Sequence, residues 1–186
     1  DFAQVEIDEQ QVNLTRFSLL LPEKRDFFLE CRGIFDFGRG TTQVPADTPQ
    51  LFYSRRIGLN RGRVIPIRAG GRLTGKVGGV TLGALNIETG DDTGATAATS
   101  TPATNFTALR IKRDILRRST VGAMFTNRSV DAAGNGANQA FGVDAALSFF
   151  DNVSAGGYYA KTSTPDSGTD DASYMGRMYY DGDRYG

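Results

Sequence analysis

Phe141-Gly142-Val143-Asp144-Ala145-Ala146-Leu147-Ser148-Phe149 alternates large apolar residues with small or polar ones from end to end. Side chains along a β-strand alternate faces with period two. Phe141, Val143, Ala145, Leu147 and Phe149 therefore share one face, and Gly142, Asp144, Ala146 and Ser148 the other. Asp151-Asn152 follows, a pair whose residues tolerate the left-handed backbone of a hairpin turn. A partner segment then runs from Val153 to Lys161, with Val153, Ala155, Gly157 and Tyr159 on one face.

The same unit recurs upstream. Ile65, Ile67, Ala69, Leu73 and Val77 alternate with a face bearing Arg68, Arg72, Thr74 and Lys76, and Gly78-Gly79 follows as a turn. Leu85 and Ile87 oppose Asn86 and Glu88, with Leu82 out of phase. Leu109, Ile111 and Ile115 oppose Arg110, Lys112 and Asp114, and Arg113 interrupts their apolar face. Arg117-Arg118-Ser119 reads as the next turn, after which Val121, Ala123 and Phe125 oppose Met124, Thr126 and Arg128. The segment from Tyr174 to Tyr180 begins a seventh strand. Between hairpins lie polar loops near residues 89–104, 129–138 and 162–172.

These features predict an all-β, antiparallel up-and-down meander of about seven strands over residues 61–186. Alternation alone fits two architectures. In a soluble sandwich the apolar face meets a core, whereas in a membrane barrel it meets lipid and the polar face lines a lumen. Short turns at one end and long loops at the other favour part of a transmembrane β-barrel. On that reading Ile67, Leu73, Leu109, Ile111, Val143 and Leu147 face lipid. Arg68, Arg72, Lys76, Arg110, Lys112 and Asp144 face the lumen. Phe149 and Phe150 beside a short turn, and Tyr158, Tyr159, Tyr179 and Tyr180 near other strand ends, suit an interfacial girdle.

Residues 1–60 lack this rhythm. The apolar run Val12-Asn-Leu-Thr-Arg-Phe-Ser-Leu-Leu-Leu21 reads as a strand or buried extended segment. Pro22-Glu23-Lys24-Arg25-Asp26-Phe27-Phe28-Leu29-Glu30 reads as a short helix near 22–31, with proline in its first turn and Gly33 as its stop. Residues 41–50 read as a loop. Residues 48–87 hold seven basic residues and no Asp or Glu. Such a stripe suits an anionic solute, or salt bridges to acids of the preceding segment. The second reading is favoured, because charges withdrawn from water need partners. Glu23, Asp26, Glu30, Arg55 and Arg56 are then candidates for ion pairs that dock this segment as a plug or inner-wall element.

Composition closes several doors. The 21 basic and 21 acidic residues balance, which gives no electrostatic footprint for nucleic acid. With no histidine and one cysteine, Cys31, neither a zinc site nor an internal disulfide can be assembled. No cofactor motif is present, since Gly70-Gly71 and Gly78-Gly79 do not open a helix after a strand. No apolar run reaches the roughly 18 residues of a membrane helix. Asp91, Asp92, Asp166, Asp170 and Asp171 lie in loops without calcium-hand spacing. Glu88, Asp114 and Asp144 are the carboxylates from which a glycosidase pair could be drawn, with nothing to set their separation. No catalytic residue is assigned.

The strings Pro22-Glu-Lys-Arg-Asp-Phe-Phe-Leu-Glu30, Ile34-Phe-Asp-Phe-Gly38 and Tyr53-Ser-Arg-Arg-Ile-Gly58, with Asp1-Phe-Ala-Gln-Val-Glu-Ile-Asp8 before them, carry a resemblance over essentially the whole chain. They resemble an uncharacterised bacterial domain family found C-terminal to a carbohydrate-binding family-9-like sandwich in secreted proteins of Gram-negative bacteria. That family's C-terminal region resembles an outer-membrane β-barrel. Cys31 falls where a small or polar residue is expected. The resemblance implies a fragment of a cell-envelope protein whose partners are the outer-membrane bilayer and a carbohydrate ligand. It implies no catalytic residues. A secreted carbohydrate-binding sandwich and part of a glycan hydrolase are the alternatives.

Overall fold

The computed structural model describes residues 22–30, 32–38, 48–60, 63–92, 100–130, 136–150, 152–164 and 171–182. The expected segment Val12 to Leu21, Cys31, most of the loop 41–50, and Asp166 and Asp170 lie outside these residues. A short antiparallel pair, β1 (Leu59–Asn60) and β2 (Arg63–Val64), leads into the sheet. The sheet itself comprises β3 (Ile67–Val77), β4 (Val80–Thr89), β5 (Asn105–Ile115), β6 (Ser119–Arg128), β7 (Asn138–Phe149), β8 (Val153–Ser163) and β9 (Asp171–Tyr180). Its seven strands follow one another in chain order, every neighbouring pair antiparallel. The expected all-β meander is what forms. The sheet is open: among the described residues, β3 and β9 each have one neighbour.

The short turns differ from expectation by one residue in two cases. Val77 pairs with Val80 around Gly78-Gly79, and Gly78 takes φ +59° at the first central position, where a type II′ turn wants glycine. The second turn is Leu116, Arg117 and Arg118, since Ser119 already pairs with Ile115. The third begins at Phe150, because Phe149 pairs with Val153; Asp151 lies outside the described residues. Leu116 and Phe150 adopt φ of +55° and +57°, a left-handed conformation costly for large side chains. In each case a three-residue loop moves the left-handed position onto the residue before the expected turn.

The register also carries a stagger. Val77 shares a row with Val80, Arg113, Val121 and Ala145 across β3 to β7. The turn of β7 begins after Phe149, four residues beyond Ala145, so the hairpin ends step by about one residue per strand. That ratio equals the one in an eight-stranded barrel of shear eight, whose strands tilt by about 36°.

The two faces are unlike. One face carries Leu73, Leu82, Leu109, Ile111, Val121, Phe141, Val143, Phe149, Tyr159, Tyr174 and Met178, all exposed. The opposite face is covered in its middle by residues 22–30, 32–38 and 48–57. There Phe28, Ile57, Leu85, Ile87 and Ala108 form one buried cluster, and Phe37, Met124, Tyr158 and Ala160 another. This explains the phase break in β4. Leu85 and Ile87 point inward under Phe28 and Phe35, while Leu82 points outward. Ile67, expected outward, turns inward onto the first cluster because the register shifts between Ile67 and Ala69.

The helix near 22–31 is shorter than expected. Only Asp26–Leu29 is α-helical, followed by a 3₁₀ turn Arg32–Phe35 that runs through Gly33. Pro22 and Glu23 lie before the helix, where the Glu23 carboxylate accepts from the Lys24 and Arg25 N–H groups and from the Arg25 and Ser54 side chains.

Candidate functional site

The charged centre of the covered face is an ion pair spanning three strands. Arg110 of β5 donates from Nη1 and Nη2 to Oδ1 and Oδ2 of Asp144 on β7, at 2.6 and 2.8 Å. Gly122 of β6 lies between them. A Cβ there would stand 2.9 Å from both Arg110 Nη1 and Asp144 Oδ1, so only glycine lets the fork lie flat on the sheet. The Gly38 N–H donates to Asp144 Oδ2 at 3.1 Å, and the Arg110 guanidinium sits 5.7 Å from the Phe37 ring. Gly38 itself takes φ +68°, and a Cβ on it would meet Thr48 and Tyr158 at 2.6 and 3.1 Å. Asp144 therefore ties sheet to covering segment. Arg110 is 3 % exposed, and its bidentate geometry makes removal of either partner expensive.

A second tie lies on β3. Arg72 forms an ion pair with Glu30, donates to the Glu30 carbonyl at 2.7 Å and to the Phe27 carbonyl, and stands 5.2 Å from the Phe27 ring. Of the acids proposed to bridge segment and wall, Glu30 does so. Glu23 pairs inside the segment instead. Its carboxylate accepts from Arg25 Nε and Nη2 at 2.8 Å each and from Ser54 Oγ at 2.6 Å. Arg25 reaches on to the Ile57 and Ser54 carbonyls, also at 2.8 Å. Burial works to raise the pKa of Glu23, but the hydrogen bonds from Arg25 and Ser54 and the Arg25 charge outweigh it and hold the group at about 2. Arg55 is buried and donates to the Pro22 carbonyl at 2.8 Å. Asp26 and Arg56 are exposed, and neither pairs with a charged residue of the sheet among the described residues.

Lys76 shares the inner face and pairs with Asp114 at 2.6 Å, and Lys112 is half-buried there. Arg68 sits at the register shift, where it pairs with Asp91 rather than stacking above Arg72. The carboxylates considered for hydrolysis are not brought together. Glu88 shares the outer face with Asn105, while Asp114 and Asp144 point inward to Lys76 and Arg110. Of the acidic loop residues, Asp91 is held by Arg68 and Asp171 opens β9.

Between residues 50–57 and strands β5 to β7 lies a 210 Å³ cavity. Phe52, Tyr53 and Phe106 supply aromatic surface, and Gln50, Asn138 and Arg128 supply polar groups. Sequence reasoning missed this cavity, and it missed Gly38, Gly122 and Phe37. Their signal is pairwise and three-dimensional: nothing in the string places Gly122 beneath a pair formed by Arg110 and Asp144.

Comparison with known families matches residues 1–69 to a model described as a domain of unknown function, DUF5916. The match covers the segment packed on the inner face and ends at the first residues of β3. It is narrower than the whole-chain resemblance read from the sequence. No curated protein and no solved structure matches the chain.

Proposed function

We propose that residues 61–186 are a section of the wall of an outer-membrane β-barrel, and that residues 1–60 are its plug or inner-wall element. The observation that carries this reading is which face is left bare. A soluble sandwich buries its aliphatic face and leaves the charged face wet. Here residues 22–30, 32–38 and 48–57 pack on the face that bears Arg72, Arg110 and Asp144, while Leu73, at 75 % exposure, and Leu82, Leu109, Ile111, Phe141 and Val143 stay exposed. Contiguous apolar patches on this scale are rare on soluble monomers.

The patch is also shaped like a membrane band. Its upper margin is a polar row of Asn86, Thr107, Asn127 and Gln139. Below it, β7 runs apolar from Phe141 to Phe149, about 27 Å along the strand and about 22 Å at a 36° tilt. Outer-membrane barrels carry an apolar band about 25 Å tall. The open edges of β3 and β9 would be completed by further strands. A pore, transporter or surface anchor follows, and a carbohydrate is the ligand we assign to it. The cavity beside Phe52, Tyr53, Phe106 and Asn138 supports that assignment, since sugars present apolar ring faces and hydroxyls together. The test is expression of the full-length protein followed by membrane fractionation. Extraction only by detergent, with gel mobility that changes on heating, is the expected outcome; a protein soluble without detergent would sink the proposal.

A further inference from the structure

The outer face carries one feature that a uniform lipid-facing wall does not need. A shallow groove of 640 Å³ runs obliquely over β6, β7 and β8. Its small lining residues are Ala123, Ala145 and Gly157, flanked by Ile111 and Val121 on one side and by Val143 and Tyr159 on the other. Arg113 stands at its edge. The row of Arg113 holds Val80, Val121 and Ala145, so it has no acidic cross-strand neighbour. The arginine is exposed and makes no ion pair or hydrogen bond among the described residues.

Arg113 is also placed at a boundary. Because the hairpin ends are staggered, its row is the one in which β3 and β4 turn, at Gly78-Gly79, and the Asp114 N–H beside it donates to the Gly79 carbonyl at 2.8 Å. An arginine with its stem on apolar surface can extend its head to such a margin. Arg117, in the next turn, adds a second exposed cation at the same end.

We infer that this groove is a binding site for one anionic phospholipid, with an acyl chain lying over Ala123, Ala145 and Gly157 and the headgroup phosphate paired with Arg113. Charge complementarity at the head of an apolar trough selects this occupant. An unpaired guanidinium is a bidentate partner for phosphate oxygens, and the small lining residues leave room for a chain that neighbouring rows would fill with their own side chains. The inference rests on the wall reading above, since only a face in lipid meets such a molecule.

The experiment uses the full-length protein reconstituted in phosphatidylcholine vesicles with and without one-fifth phosphatidylglycerol, followed by detergent release and native mass spectrometry of retained lipids. Insertion into pure phosphatidylcholine is scored first; failure there overturns the wall reading, and the site with it. Given insertion, the wild type should retain phosphatidylglycerol over phosphatidylcholine by about five-fold, the scale of one basic side chain's attraction to an anionic lipid. Arg113→Gln should abolish the preference, Arg113→Lys should keep part of it, and Ala145→Leu should lower retention of both lipids without changing insertion. Equal retention of the two lipids by the wild type, or an unchanged preference in Arg113→Gln, overturns the lipid site while leaving the wall intact. A second copy or another protein seated in the groove in place of lipid would overturn it too.

Discussion

Single residues carry much of this fold's specificity. Glu23 is held ionised by Arg25 and Ser54, and its folded pKa of about 2 lies below the ordinary 4.5. A depressed carboxylate stabilises the fold fully above its unfolded pKa and loses that contribution as pH falls through the folded one. Stability should therefore decline from pH 4.5 toward 2, and Glu23→Gln should flatten that part of the profile in urea titrations. The same variant leaves Arg25 buried without its charge partner and should cost about 3 kcal/mol at neutral pH. Asp144→Asn should be worse for the inner face than for the sheet, because it strands Arg110 and weakens the Gly38 tie together. At this scale the sequence was only partly legible. The basic residues of the inner face stand out in the alternation, but their partners do not: Glu30 reaches Arg72 and Glu23 does not, because Arg25 and Ser54 already hold the Glu23 carboxylate.

At the scale of elements, the strands were legible because period two survives in nearly every one. The exceptions have a common cause. Leu85 and Ile87 are apolar on the inner face because Phe28, Phe35, Phe52 and Ile57 cover them, and Ile67 joins them through the register shift. A sequence pattern that assumes one apolar face per strand cannot see a second, local core. The same limit hid the shortness of the helix, since Phe27 and Phe28 look like helix periodicity but serve as contacts to Arg72 and Arg25. The docking of this segment depends on bare backbone. A Cβ at Gly142 would meet Phe37 and Leu51 at 2.5 to 2.7 Å, and one at Gly83 would meet Ile34 at 2.7 Å. Gly142→Val should thus loosen the segment at a cost of about 1–3 kcal/mol while the meander keeps its register. Limited proteolysis should show earlier cleavage within residues 22–58. If that segment is a plug, the variant should also raise single-channel conductance in planar bilayers.

The whole molecule is read from the contrast between its faces. The sequence could frame the choice between sandwich and barrel, because both bury an alternating face, but it could not say which face the remaining chain covers. That answer needs the fold, and it is the charged face that is covered. Leu147→Arg should then cost about 2–4 kcal/mol if Leu147 lies near mid-bilayer, measured by unfolding from vesicles. A direct measurement of the central claim is available along β7. The chain has no tryptophan, so tryptophans introduced singly at Val143, Ala145, Leu147, Ala146 and Ser148 of the reconstituted protein add identifiable signals. Lipids brominated along their chains should quench the added fluorescence at Val143, Ala145 and Leu147 and leave it at Ala146 and Ser148. Equal quenching on both faces, or none at Val143, Ala145 and Leu147, would contradict a wall that turns its aliphatic face to lipid.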